Sequence, residues 1–394
     1  MNLHLVGIMA STKQIQGLVL LILLCGFSPA TAHADEVDTL LKSIAHVGPQ
    51  GAGSTAARVA SAQLKSRGVE ILPQLLDALD SPNIVAANWY RTIYEEIITS
   101  EAAKPEPEFP VELLQNFARD SKRQGRARRM VLRRLDDLTP GYRDSILPSL
   151  LDDSEFRSDA VAFVLRRGDK AQAAGDIESA RSDFQVAFQH AREIGQVTGS
   201  ADRLKANGVD VNIVEQMGFV TRWYLLGPFD APARSGFDAS FPPERAVDLT
   251  ATYVGKDGPN IKWQLFETDD RLGQLNLVNA IAPVKESVGY AYTELHSPLD
   301  KTVELRCGAD DNLSVWLNGE KILARRQWLN GTRLDRFTAV ASLKKGTNRV
   351  LVKICQGPQH KNPAVPNNWS LQLRFCDTTG TGAGLRSILP EADE

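Results

Sequence analysis

The chain has 394 residues, of which 45 are basic and 48 acidic, for a net charge of −3. Such a near-neutral balance with ordinary aromatic and charged content describes packed globular domains, about two or three at this length, and excludes the basic footprint of a nucleic-acid binder. Four cysteines in so long a chain exclude a disulfide-framework fold.

Residues 1–34 read as an export signal. Lys13 precedes an apolar stretch from Gly17 to Phe27, too short to span a bilayer. Ser28 and Pro29 break it, and Ala32-His33-Ala34 offers the small residues a signal peptidase accommodates. Cleavage is expected between Ala34 and Asp35, giving an exported protein, periplasmic or extracellular, with no membrane span in its mature part. Only Cys307, Cys355 and Cys376 survive that cut.

Residues 35–215 read as an α-helical array. Ile71-Leu72-Pro73-Gln74-Leu75-Leu76-Asp77 recurs as Ile146-Leu147-Pro148-Ser149-Leu150-Leu151-Asp152, with Phe109-Pro110-Val111-Glu112-Leu113-Leu114 between them. The three prolines lie 37 and 38 residues apart, a spacing that signals stacked helical hairpins. A second apolar stripe follows each proline helix: Tyr90, Ile93, Tyr94, Ile97 and Ile98, then Ala127, Val131, Leu135 and Leu138. The pattern, over roughly residues 55–168, resembles HEAT repeats. Ala174-Gly175-Asp176 leading into Phe184, Ala187, Phe188 and Ala191 looks like one tetratricopeptide-type (TPR-like) hairpin, or more plainly a long helix capping the array. The basic run Lys122, Arg123, Arg126, Arg128, Arg129, Arg133 and Arg134 is expected to form a solvated helix face.

From Gly218 the period changes to alternation. Val220 to Leu226, Ile261 to Phe266, Val288 to Leu295 and Thr302 to Cys307 read as strands. Trp369, Leu371, Leu373 and Phe375 alternate with polar residues, as a half-buried strand does. Leu313 to Leu317, then Asn318-Gly319, then Glu320 to Leu323 is a hairpin signature, because Asn-Gly supplies the positive φ angles of a two-residue turn. The fold class is therefore α+β multidomain: a helical HEAT/TPR-like array followed by an antiparallel β-sandwich of jelly-roll type over 218–384, with a flexible tail at 385–394. Cys355 and Cys376, if they close the strands of one hairpin, lie about 20 Å apart, too far for a disulfide. Cys307 falls on an apolar face.

The string from Leu305 to Gly319, with Val315-Trp316-Leu317-Asn318-Gly319 and the later Gly346-Thr347-Asn348, resembles galactose-binding-like jelly rolls, including the sugar-binding domain of family 2 glycoside hydrolases. Asp310-Asp311 before the hairpin is similar to PA14 domains, and with Trp223 to Phe229 the whole looks like secreted bacterial proteins joining helical repeats to such a sandwich. The PA14 resemblance implies that Asp310 and Asp311 hold Ca2+ that contacts sugar hydroxyls. Here Asn312 replaces the usual glycine, and the sequence supplies few of the six or more oxygens calcium needs, so a polar strand connection is the plainer reading. Trp316, Trp328 and Trp369 are able to stack on sugar rings. Trp369 reads as core, whereas Trp328, in the polar stretch from Arg325 to Gly331, is the better platform.

His46, His190, His296 and His360 show no metal-ligand spacing, and no nucleophile elbow or phosphate loop appears. Gly380-Thr381-Gly382-Ala383-Gly384 reads as a loose terminus. The expected function is a non-catalytic exported binding or scaffold protein, with helical repeats for a protein partner and a sandwich for a glycan or other macromolecule. Its ligand candidates are Asp310, Asp311, Asn312 and Trp328, with no catalytic or metal residues. The alternative is a hydrolase or an accessory module of a polysaccharide-degrading system.

Overall fold

A computed structural model describes residues 29–328, 331–362 and 367–390; the apolar stretch of the export signal lies outside them. The chain divides into two compact units between Thr139 and Pro140.

The first unit is helical: α1 (Pro29–Ala45), α2 (Ser54–Ser66), α3 (Leu72–Ala78), α4 (Ile84–Ala102), α5 (Val111–Arg119) and α6 (Gly125–Leu138). Pro73 sits in the first turn of α3 and Pro110 at the N-cap of α5, where a missing N–H costs no helical bond. Leu72, Leu75, Leu76 and Leu79 are buried, as is the α4 stripe from Tyr90 to Ile98. Asn83 caps α4 by accepting from the Val85 and Ala86 amides while its Nδ2 donates to the Ala45 and Val47 carbonyls, fixing where the chain enters the helix. The expected cleavage bond lies within α1, which buries Val37, Leu41 and Ile44.

The basic run does not form one solvated face. Arg123 fans onto Asp77, Asp80 and Asp120, and Arg134 reaches Glu95 and Asp137. Arg128 is buried and its Nε donates to the Ala118 carbonyl.

The second unit opens with α7 (Tyr142–Ile146), a 3-10 turn carrying Pro148, then α8 (Arg157–Ala173), α9 (Ile177–His190), α10 (Ile194–Ala206) and α11 (Ile213–Met217). By compactness these helices group with the β-sheets rather than with α1–α6. Their core joins Val161, Phe184, Ala187, Leu204 and Met217 to Phe219 at the entry to the first strand. The small residues of α8 and α9 are there for fit: a Cβ on Gly168 would lie 2.6 Å from the Phe184 ring.

The sandwich is antiparallel throughout. Its strands are β1 (Arg222–Asp230), β2 (Thr252–Val254), β3 (Asn260–Lys262), β4 (Gln264–Glu267), β5 (Leu275–Asn276), β6 (Ser287–Ser297), β7 (Lys301–Ala309), β8 (Leu313–Leu317), β9 (Glu320–Arg325), β10 (Phe337–Leu343), β11 (Gly346–Gln356), β12 (Ser370–Cys376) and β13 (Arg386–Ser387). The larger sheet runs β4-β1-β6-β11-β8-β9, with β13 also on β6, and the smaller runs β10-β7-β12-β5. Between them lie Trp223, Leu305, Cys307, Val315, Val352, Trp369 and Phe375. The β8–β9 hairpin turns at Asn318 and Gly319, with φ of 52° and 87°, as the Asn-Gly pair requires.

Alternation gives the larger sheet a second apolar face. Phe229, Tyr290, Tyr292, Trp316 and Leu351 point away from the sandwich core and are covered by Phe237, Phe241, Val247 and Tyr253 of the segment between β1 and β3.

Two further expectations change. β11 and β12 are not a hairpin; they belong to different sheets, and Cys307, Cys355 and Cys376 are all free and buried. The glycine-rich run is packed, not loose. The Gly382 amide donates to the Gln216 carbonyl, Ala383 to Phe375, and β13 within the supposed tail pairs with β6. Glycine permits this approach, since a Cβ on Gly382 would lie 2.4 Å from the Glu215 carbonyl oxygen.

Candidate binding site at one end of the sandwich

Asp310, Asp311 and Asn312 connect β7 to β8, and all three are buried. Buried polar groups must find partners, and these find them in segments distant in sequence. Asp310 Oδ1 accepts from the Gly331 amide at 2.8 Å, Asp311 Oδ2 from the Gly357 amide at 2.6 Å, and Asn312 Oδ1 from the Gln327 amide at 2.5 Å. Gln327 returns two bonds, its Nε2 donating to the Ala309 and Asp311 carbonyls at 2.9 and 3.1 Å. The loop is thereby stitched to the segment that carries Trp328.

Gly357 brings two of the four sequence candidates, Asp311 and Trp328, together. A Cβ there would meet Asp311 Oδ2 and Trp328 Cε3, each at 2.9 Å, so only glycine lets the indole and the carboxylate share its backbone. Trp328 is half-buried, with the Arg234 guanidinium 5.2 Å from its ring centroid.

The electrostatics follow from burial. Desolvation, and then the neighbouring Asp311, push the Asp310 carboxyl above its ordinary value, against the Gly331 amide and Lys285. Burial likewise holds the Lys285 ammonium below its usual value, although Asp311 and Asp310 oppose this. Beneath the loop, Asn312 Nδ2, Gln327 Oε1, Gln356 Oε1 and Ser287 Oγ are buried without hydrogen-bond partners; Gln356 and Ser287 are register partners on β11 and β6.

The donor set does not fit the calcium ion that the PA14 resemblance implies. Ca2+ takes six to eight oxygens. One oxygen on each aspartate and that of Asn312 are committed to amides, and Lys285 already supplies positive charge to both carboxylates. Among the described residues no three His, Cys, Asp or Glu side chains converge. The arrangement is suited to binding a polar ligand against an aromatic ring.

Lys285, Gln327, Gly357 and Arg234 carry no motif, and sequence reasoning missed them. Only the fold brings them to the Asp-Asp loop.

Among the described residues no helix is long and apolar enough to cross a membrane. No family model matches the sequence, and no curated protein matches it. Among solved structures, an anti-sigma factor domain-containing protein is similar at 14% identity over 42% of this chain and 43% of that one, with a TM-score of 0.24. A β-glucosidase from Kluyveromyces marxianus in complex with glucose is similar at 13% identity over 39% of this chain and 16% of that one, TM-score 0.25. The chain therefore spans less than half the length of both. A PA14 sugar-binding domain from an RTX adhesin is similar at 11% identity over 43% of this chain and 91% of that one, TM-score 0.20. A helical N-terminal region followed by antiparallel β-sheets, with weak likeness to PA14 and glycosidase domains, is what the chain presents.

Proposed function

We propose that this is an exported, non-catalytic binding protein whose sandwich holds a glycan at the loop cluster of Asp310, Asp311, Asn312 and Trp328, and whose HEAT-like helices engage a protein partner. The observation that carries the glycan reading is the junction at Gly357, where a half-buried indole lies beside a buried carboxylate. Sugar rings offer an apolar face and a hydroxyl edge, which an aromatic ring and adjacent polar groups match. Buried, unpartnered amide and hydroxyl atoms nearby favour a hydrogen-bonding ligand. Export is supported by the leader-like sequence of residues 1–34.

The test is a glycan array with the full mature chain, run with and without calcium, beside a glycosidase assay on the same preparation. Glycan binding that is insensitive to chelator and falls in Trp328→Ala supports the reading. Absence of binding to any glycan sinks it, and measurable glycoside hydrolysis sinks the non-catalytic part.

A further inference from the structure

We infer a second ligand site, for an acidic pyranoside, on the outer face of the larger sheet. Leu351 of β11 is in register with Tyr292 of β6 on one side and with Trp316 of β8 on the other. The three side chains form one row, aromatic, aliphatic, aromatic, across three adjacent strands. Covering residues 243–247 wall this row on one side, leaving a cavity of about 260 Å³. That wall is fixed, because Glu244 Oε1 accepts from the Lys353 ammonium at 2.7 Å and from the Tyr290 hydroxyl at 2.6 Å. On the other side Arg349 donates through Nε to Glu294 Oε1 at 3.1 Å, the oxygen that also accepts from the Tyr292 hydroxyl.

The charge around the cavity selects the ligand. Glu244 is balanced by Lys353 and Glu294 by Arg349. Arg245, which lines the cavity, and Lys321, whose ammonium lies 4.6 Å from the Trp316 ring centroid, are both exposed. Neither forms an ion pair among the described residues, so each presents an exposed cation beside the cavity. An aromatic and aliphatic floor takes the apolar face of a ring, the Glu244 and Arg349 edges take hydroxyls, and the cationic rim takes an anionic substituent. A pyranose bearing a carboxylate or a sulfate has all three.

The site is distinct from the Asp310–Trp328 cluster, because Trp316 and Gly319 lie at the opposite end of β8 from Asp311. The two are therefore separable by mutation.

The full chain is titrated with methyl β-glucuronide, glucose 6-sulfate and methyl β-glucoside, followed by calorimetry or ligand-observed NMR. At least one acidic sugar is expected to bind about tenfold more tightly than the glucoside, and which one does so identifies the anionic group. Ala246→Trp, a substitution at an exposed cavity position, is expected to abolish this binding. Arg245→Gln with Lys321→Gln is expected to reduce it to the level of the glucoside, while Trp328→Ala leaves it unchanged. Equal affinity for all three sugars, binding of none, or acidic-sugar binding that survives Ala246→Trp overturns the inference. Loss of binding in Trp328→Ala also overturns it, by assigning the sugar to the other site.

Discussion

The Lys353 ammonium on β11 donates to Oε1 of Glu244, a residue 109 positions earlier in the chain, at 2.7 Å. The two side chains are 2% and 12% exposed, and the Phe241 ring lies 5.2 Å from the lysine nitrogen. This pair fastens the segment between β1 and β2 over the outer face of the larger sheet. Burial pushes the Glu244 carboxyl upward, but its bonds to Lys353 and Tyr290 outweigh that and hold it below its ordinary value. A depressed carboxyl stabilises the fold above its unfolded-state value and loses that contribution as the pH falls through its folded-state value. Glu244→Ala, which leaves a buried ammonium with one carbonyl partner, is expected to cost about 3–5 kcal/mol in urea unfolding at pH 7. Glu244→Leu combined with Lys353→Met is expected to cost clearly less. Equal losses in both contradict the pairing.

Asp310 has the opposite sign. Its carboxyl is raised by burial and by Asp311, so its contribution to stability is fully present below the unfolded-state value and is lost as the pH rises through the folded-state value. Asp310→Asn is expected to flatten this part of the stability profile, improving stability at pH 7 relative to pH 4 when compared with the parent protein. A parallel offset at both pH values rules out ionisation of Asp310 as the cause.

Gly218 and Gly319 both have positive φ, 74° and 87°, but differ in surroundings. A Cβ on Gly218 would lie 2.1 Å from the Phe375 carbonyl oxygen, while one on Gly319 meets nothing within 4 Å. Gly319→Ala is expected to cost about 1 kcal/mol for backbone strain alone. Gly218→Ala adds a clash with backbone and is expected to cost about 3 kcal/mol or more. Thermal denaturation of the two variants measures the difference.

The cysteines report on both processing and packing. Burial pushes the Cys307 and Cys355 thiols up to about 12 and also raises Cys376, and inert buried thiols react slowly. Native protein is expected to give almost no reaction with a thiol reagent at pH 8, and denatured mature protein three equivalents. Four equivalents show that Cys25, and hence the leader, has been retained.

Local chemistry made much of the fold legible. Asn318-Gly319 announced its hairpin, the repeated prolines announced helix starts, and alternation on β12 placed Trp369 and Phe375 in the core. What stayed hidden depends on contacts between distant segments. The cover over the outer face lacks a long periodic element, and nothing near Glu244 points to Lys353. The glycine-rich run looked loose because sequence reports the freedom of glycine but not the carbonyls that its absent side chains allow to approach. At the candidate site, Asp310, Asp311, Asn312 and Trp328 were visible as residues, whereas Gly357 and Lys285 join them only through the topology of β6, β8 and β11.

The central claim is that the loop cluster around Gly357 binds a glycan without calcium. Its most direct measurement is the affinity of the full mature chain and of Trp328→Ala for the best glycan on an array, each in calcium and in chelator. The expected result is binding that is unchanged by chelator and at least about tenfold weaker in the variant, roughly the loss of one aromatic contact. Binding that vanishes in chelator, or that Trp328→Ala leaves intact, contradicts it.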